Sequence, residues 1–171
     1  MIYHQLITKM KTEPTSTGPL LTVLNFSGGK QSSALLWMVL RGELKPKGQF
    51  VVMNADPGME DSRTYHYVAK MKEECRAAGI EFITAAGPNL YHDLLYMKGK
   101  KRIDNPPYYV TNEKGKTGKL MQKCTSVYKI MPMDRQIRMI LSRDFGINPK
   151  GTPPAGCVEK WIGFHAGEWH R

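Results

Sequence analysis

The feature that most constrains the fold is a glycine-rich turn between two apolar runs near the N-terminus. The run "LLTVL" precedes the stretch "NFSGGKQSS", and the run "ALLWMVL" follows it. A short apolar run that ends at Ser-Gly-Gly is typical of a buried β-strand. The segment from Ser32 to about Leu44 is apolar almost all round, which is typical of a helix packed between layers. The sequence therefore predicts a strand over residues 20–26, a turn and then a helix.

Strands and helices continue to alternate along the chain. The pattern predicts a second strand at "QFVVMNA", a helix over 62–78 and a third strand at "IEFITAAG". A short helix over 89–97, a helix over 131–145 and a final strand at "VEKWIGF" follow. Spacing by threes and fours predicts which residues of the two long helices face inward, and the 62–78 helix is predicted to end at Gly79. The inward residues are Tyr65, Val68, Met71, Cys75 and Ala78 in the first helix and Met133, Ile137, Ile140 and Leu141 in the second, while Lys70, Lys72, Glu73, Glu74 and Arg76 are predicted to face outward. Such alternation predicts an α/β fold with a mostly parallel sheet flanked by helices. Ligands of these folds bind where the strands reach their carboxyl ends. The turns at 27–33 and 56–61 both follow such strand ends, so we expect them to face one pocket.

Length and composition suit one globular domain. The chain has 171 residues, 41% of them hydrophobic and 23% charged. We expect a polar leader over residues 1–18 and a single α/β domain over 19–171. Apolar runs fall short of the roughly 20 residues that a membrane-spanning helix needs, and the N-terminus lacks the apolar core of a signal peptide. We therefore expect a cytoplasmic protein without a membrane partner.

The charge favours an anionic partner. The chain has 25 basic and 15 acidic residues, a net charge of +10, which suits a nucleotide, a nucleic acid or a sulfated metabolite. Eight of the basic residues lie within 98–123, a stretch predicted to be a long insertion. Two interpretations of this insertion remain open. It is either a solvated loop or a flap that closes over phosphates or over the backbone of tRNA or DNA.

The turn at Ser27–Ser32 does not match the two commonest phosphate-binding loops. The GxxxxGK[ST] pattern requires a glycine where Leu24 stands and a hydroxyl residue where Gln31 stands, and GxGxxG fails as well. The remaining pattern, SGGxxS, combines hydroxyls, a lysine and glycines whose N–H groups can turn toward an anion at a helix N-terminus. A phosphate cradle and an ordinary glycine-rich turn with Ser32 as the helix N-cap both fit it.

Four stretches, in order, resemble the motifs of one family. "SGGKQSS" resembles the SGGxDS loop of the adenine nucleotide alpha hydrolase (PP-loop ATP pyrophosphatase) superfamily. "NADPGME" resembles the DTGxE motif of its phosphoadenosine phosphosulfate (PAPS) reductase-like family, "CTSVYKIMPMDRQIR" resembles CCxxRKxxPL, and "WIGFHAGEWHR" resembles GIxxxExxR. The resemblance spans residues 20–171 and implies a Rossmann-like fold of the HUP type. The matching residues outside the loop are Asp56, Gly58, Glu60, Cys124, Lys129, Pro132, Gly163, Glu168 and Arg171.

The resemblance also implies a ligand and its binding residues. ATP or an adenylyl sulfate would be the substrate, with its adenine and ribose near Asn54, Asp56 and Gly58. Asp56 and Glu60 would position Mg²⁺, which typically takes only one or two carboxylates from a protein. The phosphates or the sulfate would lie in the loop, against Ser27, Gly28, Gly29, Lys30, Gln31 and Ser32.

The implied chemistry is cleavage between the α- and β-phosphates with adenylylation of an acceptor, or sulfonucleotide reduction in sulfur transfer. Arg135 and Arg138 are three residues apart and either clamp one anion together or form the solvated face of a basic helix. Cys124 would serve as a cluster ligand or as a nucleophile in sulfur transfer. The candidate catalytic residues are Lys30, Lys129, Arg135, Arg138 and Cys124.

The chain departs from the family pattern at three positions. Gln31 stands where the loop usually has Asp, Pro57 replaces Thr, and Thr125 replaces the second cysteine of a pair. Iron–sulfur clusters generally need four thiolates, and the chain has three cysteines, so we expect no cluster. We also expect that the family's C-terminal segment is absent.

Three functions remain open from the sequence. The first is a PAPS reductase-like enzyme. The second is a catalytically silent module that binds a nucleotide or a nucleic acid, which the departures at Gln31 and Thr125 favour. The third is a basic nucleic-acid binder without a nucleotide site, for which binding would depend steeply on salt.

Overall fold

A computed structural model describes residues 18–96, 109–119 and 124–165 of the chain. Within these residues the strands are β1 (Leu21–Asn25), β2 (Gln49–Ala55), β3 (Glu81–Ala85), β4 (Tyr109–Thr111), β5 (Thr117–Lys119) and β6 (Val158–Ile162). The α-helices are α1 (Lys30–Leu40), α2 (Ser62–Ala77), α3 (Leu90–Tyr96) and α4 (Met131–Phe145). A π-helical segment, Thr125–Ile130, leads directly into α4.

The structure is an α/β fold built on a four-stranded parallel sheet in the order β3-β2-β1-β6. In this sheet Leu21 of β1 is opposite Gln49 of β2 and Val158 of β6. Helices α1 and α2 pack on one face of the sheet, and α4 packs on the other. The predicted fold class, a mostly parallel sheet flanked by helices, is confirmed, and the arrangement is compatible with a Rossmann-like fold.

Strand β1 shows why the apolar runs are nearly continuous. Successive side chains of a strand point to opposite faces, so Val23 packs against α4 while Leu24 packs against α1 and α2. Both side chains are completely buried. A strand covered on both faces has no solvent-facing side that favours polar residues, which is why "LTVLN" is apolar at three of its five positions.

Helix α1 corrects the prediction of a helix packed between layers. Its buried residues are Ser32, Ser33 and Leu36, whereas Ala34 and Met38 are exposed. The helix covers one face of a sheet, so its other side meets solvent. It also begins at Lys30, earlier than predicted, and ends at Leu40 rather than near Leu44.

Helices α2 and α4 are close to the predicted ones. In α4 the four residues predicted to face inward are buried, and in α2 Met71 and Cys75 are buried. Tyr65 and Ala78, which were also predicted to face inward from α2, are exposed. Gly79 follows α2 in the left-handed conformation with φ +69°, as predicted for a helix that ends at glycine.

The basic insertion contains one described element. Strands β4 and β5 form an antiparallel hairpin within 109–119, and its described side chains are exposed. The rest of the insertion, residues 97–108 and 120–123 with the lysines they contain, lies outside the described residues. The predicted leader, apart from Gly18, lies outside them as well. None of the helices in the described part of the chain is long and apolar enough to cross a membrane.

Candidate functional site

A cavity of about 490 Å³ opens at the carboxyl edge of the sheet. All four strands contribute a residue at or near their ends, namely Asn25 of β1, Ala55 of β2, Thr84 of β3 and Ile162 of β6. Helix α2 and the π-helical segment form further walls. This is the edge at which open parallel sheets bind their ligands, and the two turns predicted to share a pocket both reach it.

The glycine loop lies at the rim of the cavity and packs against α2. Gly28 has φ +75°, and a Cβ at this position would lie 3.1 Å from Cγ2 of Thr64 and 3.3 Å from Cγ2 of Val68. A side chain here would therefore meet both a strained backbone and crowded neighbours. Gly29 has an ordinary extended conformation, φ −80° and ψ 167°, so its backbone does not require glycine.

Hydroxyl groups hold the loop in shape. Ser27 and Ser32 both line the cavity, with their Oγ atoms 3.3 Å apart. Ser33 Oγ donates a hydrogen bond of 2.7 Å to the carbonyl oxygen of Gly29. Gly29, not Ser32, is the N-cap residue of α1, which corrects the alternative that Ser32 caps the helix. Because glycine offers no side-chain oxygen, the first N–H groups of α1 are available to an anion.

The end of β6 passes directly against the start of α1. A Cβ at Gly163 would lie 2.7 Å from the carbonyl carbon of Gln31 and 2.7 Å from the backbone nitrogen of Ser32. Gly163 also lines the cavity, whereas the side chain of Lys30 is exposed and does not. The fourth motif therefore shapes the glycine loop through backbone contact, a role that the sequence did not predict.

The turn after β2 is organised by two of the residues predicted to contact adenosine. Asn54 Nδ2 donates a buried hydrogen bond of 2.9 Å to the carbonyl oxygen of Phe26. Asp56 Oδ1 accepts from the N–H of Gly58 at 2.7 Å and from the hydroxyl of Tyr65 at 2.9 Å. Asn54 and Asp56 line the cavity, while Gly58 stands in the turn behind it with φ +77°.

An ion pair crosses the cavity. Lys129 Nζ lies 2.7 Å from Glu60 Oε1, and both residues line the cavity. Glu60 belongs to the connection between β2 and α2, and Lys129 belongs to the π-helical segment. Segments of π-helix are frequent at functional sites because the extra residue redirects the side chains of the turn. Here the segment brings Thr125, Lys129 and Ile130 to the cavity.

The acidic residues fit a magnesium ion only together with a ligand. Asp56 and Glu60 both line the cavity, but the described residues contain no group of three or more His, Cys, Asp or Glu side chains placed to hold a metal. Magnesium commonly takes one or two carboxylates, several waters and the oxygens of a substrate phosphate. Asp56 and Glu60 provide two carboxylates at the cavity, the number that this pattern takes from a protein.

The predicted arginine clamp does not reach the cavity. Arg135 is exposed on α4, and Arg138 donates a hydrogen bond of 3.0 Å to the carbonyl oxygen of Gly151. Arg138 lines a separate hollow of about 280 Å³ near Cys157 and Val158, where β6 begins. Helix α4 starts beside the cavity and runs toward the opposite edge of the sheet, which carries both arginines away from the glycine loop.

The three cysteines lie apart. Burial raises the pKa of the Cys75 thiol to about 11 and also raises the pKa of Cys157. Cys124 is half-buried at the start of the π-helical segment, and the next residue, Thr125, lines the cavity. At the position where the family has its second cysteine, this chain therefore brings a threonine to the cavity.

Several cavity residues were not predicted. Thr64, Val68 and Lys72 of α2 line the wall, although Lys72 was predicted to face outward. Their spacing of four residues places them on one face of the helix, which is the signal that could have found them. Asn25 lines the floor, and no donor within the described part of the chain reaches its buried Oδ1.

Comparisons of the chain with protein-family models, with curated proteins and with solved structures yield no match. The site offers N–H and hydroxyl donors in the glycine loop, Lys129 and Lys72 as cations, and the carboxylates of Asp56 and Glu60. Apolar side chains cover much of the rest, as suits the planar ring of a ligand.

Proposed function

We propose that this chain is a PAPS reductase-like PP-loop protein with a HUP-type fold, which binds ATP or an adenylyl sulfate and acts in the cytoplasm. One observation carries the proposal. The glycine loop, the turn that contains Asp56 and Glu60, and Lys129 all open into one cavity at the carboxyl edge of the sheet. These are the three motifs through which the sequence resembles the family's nucleotide site.

The phosphates or the sulfate bind in the loop. The N–H groups at the start of α1, the hydroxyls of Ser27 and Ser32, and the positive end of the helix dipole all favour an anion there. Lys30, the exposed first residue of α1, adds a positive charge next to the loop. Lys129 provides a second cation within the cavity.

The nucleoside occupies the apolar part of the cavity. Its ring is enclosed by side chains from both faces of the sheet, which hold it by area rather than by charge. The adjacent Asn25 and Asn54 offer amide groups at the strand ends. The apolar residues that line this part are Phe26, Val68, Ile130, Met133 and Ile162.

Cleavage of ATP would proceed by attack of an acceptor nucleophile on the α-phosphorus. The new bond to phosphorus forms as the α–β bridging bond breaks, and pyrophosphate leaves with the electron pair. Negative charge on the phosphoryl oxygens is stabilised by the loop N–H groups and by Lys129. Mg²⁺, held by Asp56 and Glu60, would supply further charge neutralisation. The acceptor is a thiol, an amine or a group on tRNA or DNA bound through residues 98–123.

A second function is favoured by two specific observations. Gln31 stands where the family's loop has aspartate, and two charged residues that line the cavity, Lys129 and Glu60, form an ion pair with each other. A module that holds a nucleotide or a nucleic acid without cleaving it accounts for both. It differs from the enzyme in turnover and not in the location of its binding site.

The test is product separation after incubation with α-labelled ATP and Mg²⁺, with and without tRNA or DNA. The enzyme converts the label to AMP or transfers it to nucleic acid, and a Lys129→Gln variant slows this at least tenfold. Unchanged ATP with tight binding supports the silent module. A parallel incubation with sulfur-labelled adenylyl sulfate and a dithiol supports the sulfonucleotide branch if labelled sulfite appears. If the protein neither binds nor converts any of these compounds, the proposal is contradicted.

A further inference from the structure

The ion pair between Glu60 and Lys129 bridges two layers of the fold at the cavity. Glu60 precedes α2, which packs on one face of the sheet, and Lys129 precedes α4, which packs on the other. Their charged atoms are 2.7 Å apart. While the two residues are paired, Glu60 neutralises the positive charge that would attract an anion to Lys129. Lys129 likewise neutralises the negative charge that would attract a cation to Glu60.

This ion pair can exchange its partners at little cost. The side chain of Glu60 is 33% exposed and that of Lys129 is 43% exposed, so both groups keep contact with solvent. Ion pairs of this exposure contribute little to stability because water screens and solvates both charges. A phosphate oxygen, which carries more charge and accepts more hydrogen bonds than one carboxylate oxygen, can therefore compete for Lys129.

Releasing Lys129 would leave two carboxylates together. The Tyr65 hydroxyl donates to Asp56 Oδ1 at 2.9 Å and accepts from the N–H of Glu60 at 3.3 Å, so one side chain fixes both acidic residues in the same turn. An unpaired Glu60 beside Asp56 repels a bound phosphate unless a cation lies between them.

We propose that the Glu60–Lys129 pair is a latch that a phosphate-bearing ligand and a divalent cation open together. Lys129 transfers to the phosphate and Glu60 to the cation, so each ligand strengthens the binding of the other. This inference rests on the proposed nucleotide site and adds to it the coupling between its two ligands. By linkage, the factor by which the cation strengthens phosphate binding equals the factor by which phosphate strengthens cation binding.

The experiment is calorimetric titration with a non-hydrolysable ATP analogue and with inorganic pyrophosphate, each with and without Mg²⁺. Glu60→Gln keeps the shape of the side chain and removes its charge. We expect this variant to bind metal-free ligand about fivefold more tightly than the wild type, because Lys129 is no longer neutralised, and to lose most of the enhancement by Mg²⁺. Lys129→Gln should bind more weakly in both conditions but keep the enhancement.

A matched control is available on α2. Glu73 forms a more exposed ion pair with Arg76, so Glu73→Gln makes the same change in net charge away from the cavity. We expect it to bind like the wild type. Thermal unfolding of all three variants checks that each is folded before titration, and the exposure of the substituted side chains predicts that all are.

The outcomes separate the latch from the proposed function. If Glu60→Gln binds metal-free ligand no more tightly than the wild type, or keeps the full Mg²⁺ enhancement, the latch is wrong while the nucleotide site stands. If pyrophosphate shows the expected pattern and the ATP analogue does not bind, the latch is supported and the nucleotide assignment fails. Absence of binding by both ligands overturns both.

Discussion

A side-chain carbon at Gly163 would lie 2.7 Å from the carbonyl carbon of Gln31, closer than side-chain carbons approach other atoms in proteins. Gly163 follows the last strand of the sheet, and Gln31 is in the first turn of α1. The contact therefore links two distant parts of the chain at the glycine loop. It fixes where the N–H groups at the start of α1 stand relative to the cavity.

Gly163→Ala should displace the glycine loop. The methyl group meets backbone atoms of Gln31 and Ser32, which cannot rotate away as a side-chain tip would. We expect the free energy of unfolding to fall by about 2 kcal/mol and nucleotide binding to weaken at least tenfold. Calorimetric titration and denaturant unfolding measure the two effects.

Gly151→Ala is the control for this substitution. A Cβ at Gly151 would have its nearest neighbour at 3.6 Å, an ordinary contact, and the residue lies outside the cavity. We expect wild-type binding and a change in stability below about 0.5 kcal/mol. Equal binding by the two alanine variants would show that the contact between β6 and α1 does not shape the loop.

Asp56→Ala should loosen the turn after β2. It removes the acceptor of the Gly58 N–H and of the Tyr65 hydroxyl, and we expect a loss of about 1–2 kcal/mol in stability. Asp56→Asn keeps an oxygen at the same place and should recover most of this loss. Nucleotide binding with Mg²⁺ should nevertheless stay weak in the Asn variant. Full recovery of binding by Asn would show that the carboxylate charge has no part in the site.

Lys30→Ala should weaken nucleotide binding without affecting the fold. Lys30 is the exposed first residue of α1, so its loss removes one mobile charge next to the loop. We expect the affinity for the nucleotide to fall about fivefold. Lys45→Ala makes the same charge change in the connection between α1 and β2, at the opposite edge of the sheet, and should bind like the wild type. If both variants weaken binding equally, the effect comes from net charge rather than from the loop.

Because Cys75 is buried, we expect the free energy of unfolding to fall at alkaline pH. Its pKa is raised to about 11 in the folded protein by burial, above the value of about 9 in the unfolded chain. Below pH 9 both states hold the thiol proton and the residue has no effect on the pH dependence. Between pH 9 and 11 the unfolded chain loses the proton first, so stability falls as pH rises, by as much as about 2 kcal/mol.

Denaturant unfolding of the wild type and of Cys75→Val at pH 8, 9.5 and 10.5 isolates this contribution, since the other titrating groups are common to both proteins. The difference in free energy of unfolding between the two proteins should move in favour of Cys75→Val as pH rises. A difference that stays constant across the three pH values would show that Cys75 is not buried as described.

The sequence predicted the architecture because its signals are local. Strand β2 was predicted at 49–55 and lies at Gln49–Ala55. A short apolar run between two turns is too short for most helices and is typical of a buried strand. Helix α4 was likewise predicted at its observed bounds. The inner face of α1 could not be predicted, because Leu35, Leu36 and Met38 are equally apolar. Only the sheet beneath the helix determines that Leu36 is buried and Met38 is not.

The site was predicted in part for the same reason. Residues next to strand ends, such as Ser27 and Asp56, could be placed at the carboxyl edge from the topology alone. The Glu60–Lys129 pair could not, because it joins residues 69 positions apart and depends on how the π-helical segment turns. Arg138 was predicted to lie in the site because it follows a motif that resembles the family's. The direction of α4 instead carries it to the carbonyl oxygen of Gly151.

The measurement that tests the central claim most directly is a map of backbone amide chemical shifts as ATP or adenylyl sulfate is added to the isotope-labelled protein with Mg²⁺. We predict the largest shifts over 27–33, 54–60 and 125–130, the three segments that meet at the cavity. Saturable shifts confined to other regions, such as the hairpin 109–119 or the hollow beside Arg138, or no shifts with either nucleotide, would contradict the account.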